Sequence, residues 1–212
     1  MMDRRPSPTQ FADLPHLSIS YLDMLPGQPV EVFREEVAVS GLQLVVDQRP
    51  SGTLFASLEW FLPTALVVFI SKPYFEGFLK EAGSDHYKLL KGALSRLFQR
   101  MNGVKVSTIG SEGKVEKHRT FTIAYSIYAQ IDESQARLKF LIQENLTDDE
   151  RDLALAHFLD FLARFHDGKL DDREVASIRA CPTVGRTLLV AYDFEQGRIE
   201  GVDPTPKPKS GV

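Results

Sequence analysis

Glu59 and Lys72 stand at the two ends of an uncharged apolar run, Trp60 to Ser71, and Glu81, Asp85 and His86 follow shortly after it. These are the residue types of acid–base chemistry. A carboxyl group buried at the end of such a run would have a raised pKa and could exchange protons near neutral pH. If both ends are buried, Glu59 and Lys72 could pair across a pocket. If they are not, they are the solvated ends of a core element. In the segment GSDHY, Gly83 to Tyr87, Asp85 and His86 suit proton transfer by type. Adjacent residues on a helix do not share a face, so a helix cap with an exposed histidine is the simpler account of them. The candidate catalytic set is Glu59, Lys72, Glu81, Asp85 and His86. The same region is rich in rings: Phe55, Trp60, Phe61, Phe69, Tyr74, Phe75 and Phe78 exceed what one helix face can hide. Surplus aromatics can line a partner surface, which makes Trp60, Tyr74, Phe75 and Phe78 the candidate binding residues.

Elsewhere the chemical signals are thinner. His157 and Asp160 have the three-residue spacing that metal ligands on one helical face favour, but His166 lies too far along to join them. No metal site is expected. Asp171-Asp172-Arg173-Glu174 reads as a solvated loop or a helix start. Cys181 is the one cysteine, so neither an internal disulfide nor a cysteine-rich zinc site can form. The Walker loop, the Gly-x-Gly-x-x-Gly turn and the Gly-x-Ser-x-Gly elbow are all missing, and no cofactor is expected.

Bulk properties narrow the classes further. The chain has 212 residues, 43% of them hydrophobic and 25% charged, which suits a substantial core. Its net charge of −4 argues against general nucleic-acid binding, which needs a basic face to displace counterions. The apolar run is shorter than the roughly 20 residues of a membrane span. Extending it to Leu54 would place Glu59 in hydrocarbon at a cost of roughly 2.5–3.5 kcal/mol. The opening MMDRRPSPTQFADLP lacks the apolar core of a secretory signal, so a soluble cytoplasmic protein is expected.

The elements that must position these residues are most legible in the second half. Residues 119–131, RTFTIAYSIYAQI, alternate with period two. Phe121, Ile123, Tyr125, Ile127, Ala129 and Ile131 point one way. After the connector Asp132 to Gln135, ARLKFLIQ resumes the alternation with Leu138, Phe140 and Ile142 inward and Arg137 and Lys139 outward. The pair reads as antiparallel, with Val104 to Ile109 as a preceding strand beyond the loop SEGKVEKHR. Thr147 and Glu150 fit a capping box for a helix with Leu155, Phe158, Leu162 and Phe165 inward and Gly168 as its stop. RTLLVAYDFEQGRIEGV reads as a hairpin turning near Gln196-Gly197.

In the first half, HLSISYLD and LQLVVDQ look like short strands, and PVEVFREEVAVSG could be helix or strand because valine lowers helix propensity. Ser84-Asp85 should cap a helix with Leu90, Ala93, Leu94, Leu97 and Met101 on one face. From Leu62 to Phe78 apolar residues recur every four, which favours a helical region broken near Lys72-Pro73. The rival is a strand, ALVVFIS, followed by a helix opening at Pro73.

LSISYLD, LQLVVD and ALVVFISKPYF, with helices between, resemble the opening of a Toll/interleukin-receptor-type domain over roughly the first hundred residues. The resemblance implies a doubly wound parallel sheet. In members that cleave NAD it implies a glutamate on the following helix, here Glu76 or Glu81. The tryptophan–cysteine pair common in such domains is absent, and an antiparallel second half departs from the pattern.

The combined expectation is an α+β fold. Its mainly antiparallel sheet comes from the C-terminal half and packs against helices, with an apolar helical region at about 55–101. Residues 1–15 should be a flexible arm, 16–202 one domain with a candidate inner boundary near 102–103, and 203–212 a disordered tail. The expected role is a non-enzymatic binding or protein-interaction module with a protein partner or a second copy. The alternative is a small nucleotide- or metabolite-processing enzyme.

Overall fold

The computed structural model describes residues 14–51, 64–102, 121–132, 136–183 and 185–203. Glu59, Trp60, the strand expected at Val104 to Ile109 and the tail from residue 204 onwards lie outside the described residues.

The element order is β1 (Leu17–Leu22), α1 (Gln28–Val37), β2 (Leu44–Arg49), β3 (Leu66–Ile70), a π-helical turn (Tyr74–Phe78), α2 (Leu79–Ala82) and α3 (Ser84–Met101). Then come β4 (Tyr125–Gln130), β5 (Arg137–Phe140), α4 (Asp148–His166), α5 (Asp172–Ala180), β6 (Thr187–Asp193) and β7 (Arg198–Gly201). The strands form one seven-stranded sheet in the order β2-β1-β3-β4-β5-β6-β7. The pairs β1–β2, β3–β4 and β5–β6 are parallel, and the pairs β1–β3, β4–β5 and β6–β7 are antiparallel. Each parallel pair is joined through helices, as a parallel crossover requires.

The α+β class therefore stands, but the mainly antiparallel, C-terminal sheet is corrected to a mixed sheet drawing β1, β2 and β3 from the first half. Period-two alternation shows that a strand has a buried face, and it is silent on which neighbour the strand pairs with. The sheet order at β2-β1-β3-β4 is that of a doubly wound fold. However, β3 runs antiparallel to β1, unlike the parallel sheet that the resemblance implies.

A second correction concerns the helical region. Leu66 to Ile70 is a central strand, with Leu66, Val68 and Ile70 fully buried and Val67 and Phe69 partly so. A central strand of a largely buried sheet reads as a continuous apolar run, so the four-residue spacing marks no helix here. Helix begins at Lys72-Pro73, where the missing proline N–H does no harm. It is interrupted at Gly83, whose φ of +78° only glycine adopts easily. Gly83 is also the N-cap of α3, and neither Ser84 nor Asp85 supplies a capping bond.

The PVEVFREEV segment is helical. Pro29 sits in its first turn, and Val30, Phe33 and Val37 form the buried stripe. The capping box at Thr147 is formed: its hydroxyl accepts from the Glu150 N–H, and the Glu150 carboxylate accepts from the Thr147 N–H. Asp171 and Glu174 repeat the device at α5. Helices α1, α3 and α4 cover one sheet face. Phe98 stacks on Tyr125 at 4.5 Å and Phe158 on Phe140 at 4.3 Å. Burying each such ring contributes roughly 1.5–3 kcal/mol.

Lys139 lies on the opposite sheet face, as the alternation requires, yet it is buried rather than solvated. Its amine sits 5.2 Å from the Tyr128 ring, and desolvation pushes it down to about 8. Among the described residues, no helix is long and apolar enough to cross a membrane.

Candidate functional site

The π-helical turn is where the sequence-level candidates gather. The Leu79 N–H reaches back to the Tyr74 carbonyl, five residues earlier, which puts one extra residue into the helix. Such π-bulges are frequent at functional sites. The turn directs Tyr74, Phe75 and Phe78 inward, at 0%, 4% and 6% exposure. These three rings are core residues, packed on one another and on neighbouring histidines.

His86 lies behind the turn and is buried. Its Nε2 is 3.1 Å from the Val37 carbonyl and its Nδ1 is 3.2 Å from the Tyr74 hydroxyl. A carbonyl can only accept, so Nε2 carries a hydrogen and, in the neutral ring, Nδ1 accepts from the Tyr74 O–H. The ring thus satisfies a carbonyl left open at the end of α1 and ties that helix to α3 and the π turn. Burial raises the pKa of the Tyr74 phenol, which keeps it a donor. Asp85 points the other way, into solvent, where it meets Lys88 at 3.3 Å.

In front of the turn opens a cleft of about 350 Å³, lined by His16, Ser40, Gly41, Gly77, Phe78, Glu81 and Ala82. His16 precedes β1 and is held from two sides. Its carbonyl accepts from the Ser71 N–H at 3.1 Å, and its Nδ1 accepts from the Gln43 N–H at 3.0 Å. Nδ1 is therefore the bare nitrogen, and Nε2 carries the hydrogen. Its ring lies 5.1 Å from Phe78. Burial lowers the imidazole below its usual 6.5, and the charge of Glu81 partly opposes this. Gly41 closes the cleft above Phe78 with φ +83°, a conformation side chains resist. The result is one neutral N–H donor and one exposed carboxylate acceptor over an aromatic floor.

Lys72 is on the far side of the turn. It pairs with Glu76 at 3.4 Å, and its N–H donates to the Gln130 side chain. Both charges act on His166, whose ring stacks on Phe75 at 4.5 Å. His166 bonds the Gln130 main chain, while its Nε2 is buried without a hydrogen-bond partner. Desolvation lowers its pKa. His157 stacks on Tyr192, and Asp160 accepts from the Tyr87 hydroxyl at 2.6 Å. Among the described residues, no cluster of three His, Cys, Asp or Glu side chains could hold a metal ion.

Of the sequence-level set, the structure brings Glu81 and Phe78 to the cleft, places Tyr74 and His86 behind it, and separates Lys72 and Asp85 from both. Sequence reasoning missed His16, Ser40 and Gly41. His16 carried no signal beyond its type, because its partners Gln43 and Glu81 are distant along the chain. Comparison with protein-family models, with curated proteins and with solved structures finds no match.

Proposed function

We propose that the protein is a non-enzymatic binding module of the cytoplasm, whose ligand is a small polar molecule seated between His16 and Glu81. One observation carries this reading: a hydrogen-bond donor and a carboxylate from separate elements line one opening over Phe78. The volume of about 350 Å³ falls within the roughly 300–1,000 Å³ of small-molecule sites. The buried Tyr74–His86–Val37 chain supports the cleft from behind, and Gln43 fixes the His16 ring in its wall.

A ligand that binds the folded form must raise its apparent stability, by about 2.7 kcal/mol at a hundredfold excess over Kd. A thermal-shift panel of polar metabolites should therefore contain compounds that raise the melting temperature. Glu81→Gln should abolish the rise without lowering the unliganded melting temperature, and His16→Asn should abolish it with a small loss of stability from the packing on Phe78 that it removes. A rise that persists in both variants would place the ligand elsewhere.

The second reading, a nucleotide- or metabolite-processing enzyme, draws on the same pair. An imidazole of fixed tautomer beside a carboxylate suits proton transfer. Turnover of NAD or another nucleotide that Glu81→Gln removes, with folding intact, would favour it over simple binding.

A further inference from the structure

Helix rings stack on Tyr125 and Phe140 at one face of the sheet, and the opposite face carries a different chemistry. On β4, Ser126 and Tyr128 alternate with the helix-facing Tyr125 and so belong to that second face. Strand register sets Phe69 beside Tyr128, and Tyr128 beside Lys139. Arg137, two residues from Lys139, shares the face. So does Arg49, through the pairing of Ser18 with both Phe69 and Val45. The Arg137 guanidinium sits 5.9 Å from the centre of the Phe69 ring, as the Lys139 amine sits over Tyr128. Phe69, Tyr128 and Arg49 are half-buried, and Arg137 is exposed.

Both guanidiniums act on the Tyr128 phenol, from strands on opposite sides of β4. Burial raises that phenol above its usual 10, so its hydroxyl stays a donor, and the charges of Arg137 and Arg49 oppose the rise. No salt bridge among the described residues includes either arginine, and the Arg49 Nε is buried with no hydrogen-bond partner. A guanidinium held over a ring uses its flat face there and keeps its N–H edges for other acceptors. Among the described residues of β1 to β5, Asp47 is the carboxylate on this face, set against Arg49, Arg137 and Lys139. We infer that Arg49, Arg137 and the Tyr128 hydroxyl form a site for the phosphate group of a small metabolite. One guanidinium fork fills the two oxygens of a carboxylate, whereas two forks and a hydroxyl from separate strands match the several oxygens of a phosphate. A nucleic-acid strand would need a longer basic track, against which the net charge of −4 weighs. The site shares no residue with the cleft at His16 and Glu81.

Calorimetric titration of the full chain with inorganic pyrophosphate tests the assignment. The wild type should bind saturably. Arg137→Met and Arg49→Met should each weaken binding about tenfold, and the variant carrying both changes should lose it, with circular dichroism unchanged. Glu81→Gln should bind pyrophosphate as the wild type does, which separates this site from the His16 cleft. In the wild type, the Nε–H resonances of both arginines should shift along one binding curve, a readout that needs no variant to fold. A wild type without saturable binding overturns the inference. So does binding that leaves both arginine resonances unmoved, or that neither arginine variant weakens. Tighter binding of a single-stranded oligonucleotide than of pyrophosphate also overturns it, by making this face a nucleic-acid platform.

Discussion

Two clefts of similar size, both lined by described residues, use their carboxylates in opposite ways. The first, at the π turn, holds about 350 Å³ and is flanked by Glu81 and His16. The second, at the β6–β7 hairpin, holds about 390 Å³ and is lined by Phe121, Tyr192, Phe194, Asp193, Glu195 and Glu200 among others. By composition the hairpin cleft looks richer. Its acids are largely occupied, however. Asp193 accepts from the Glu195 and Gln196 N–H groups of its own turn. Glu200 accepts from Ser177 and Arg198. At the π turn the fold uses His16 Nδ1, which accepts from the Gln43 N–H, and the deeper set Tyr74, His86 and Val37, but Glu81 remains outside any salt bridge among the described residues. The lesson is that a cleft's lining residues matter less than which of their hydrogen bonds the fold has already used.

Substitutions should separate the two regions in order of size. His86→Ala has the largest expected effect. It empties a buried site and leaves the Val37 carbonyl and Tyr74 hydroxyl unpaired, for a loss of about 3 kcal/mol in denaturant unfolding. Less severe is Asp193→Ala, which should cost about 1 kcal/mol by freeing two turn N–H groups. Glu81→Ala should stay within about 0.5 kcal/mol of wild type, since it removes an exposed group with no structural bond. A Glu81 variant that destabilises more than the Asp193 variant would reverse the contrast.

The mildest effect is a dependence on pH. Burial depresses both His16 and His166 below 6.5 in the folded state. The unfolded chain therefore takes up these protons first. Their contribution is complete above about pH 6.5 and is lost as the pH falls through the lower folded values. Melting temperature should drop as the pH falls below about 6.5, before most carboxylates titrate. Changing both histidines to asparagine should flatten that slope.

Local patterning alone carried much of this architecture. The Thr147 capping box, the α4 stripe at Leu155, Phe158 and Leu162, the β4–β5 pair and the turn near Gly197 were all legible. Each depends on residues a few positions apart, where spacing fixes geometry. What the tertiary structure decided was long-range. It set the parallel partners of β1, β3 and β5, and it made a strand of Leu66 to Ile70, whose helical spacing and buried-strand character look alike in one dimension. It also turned His86 inward to the end of α1 and brought His16 beside Glu81. Hydrogen bonds and desolvation act between atoms near in space, and no period along the chain encodes that nearness.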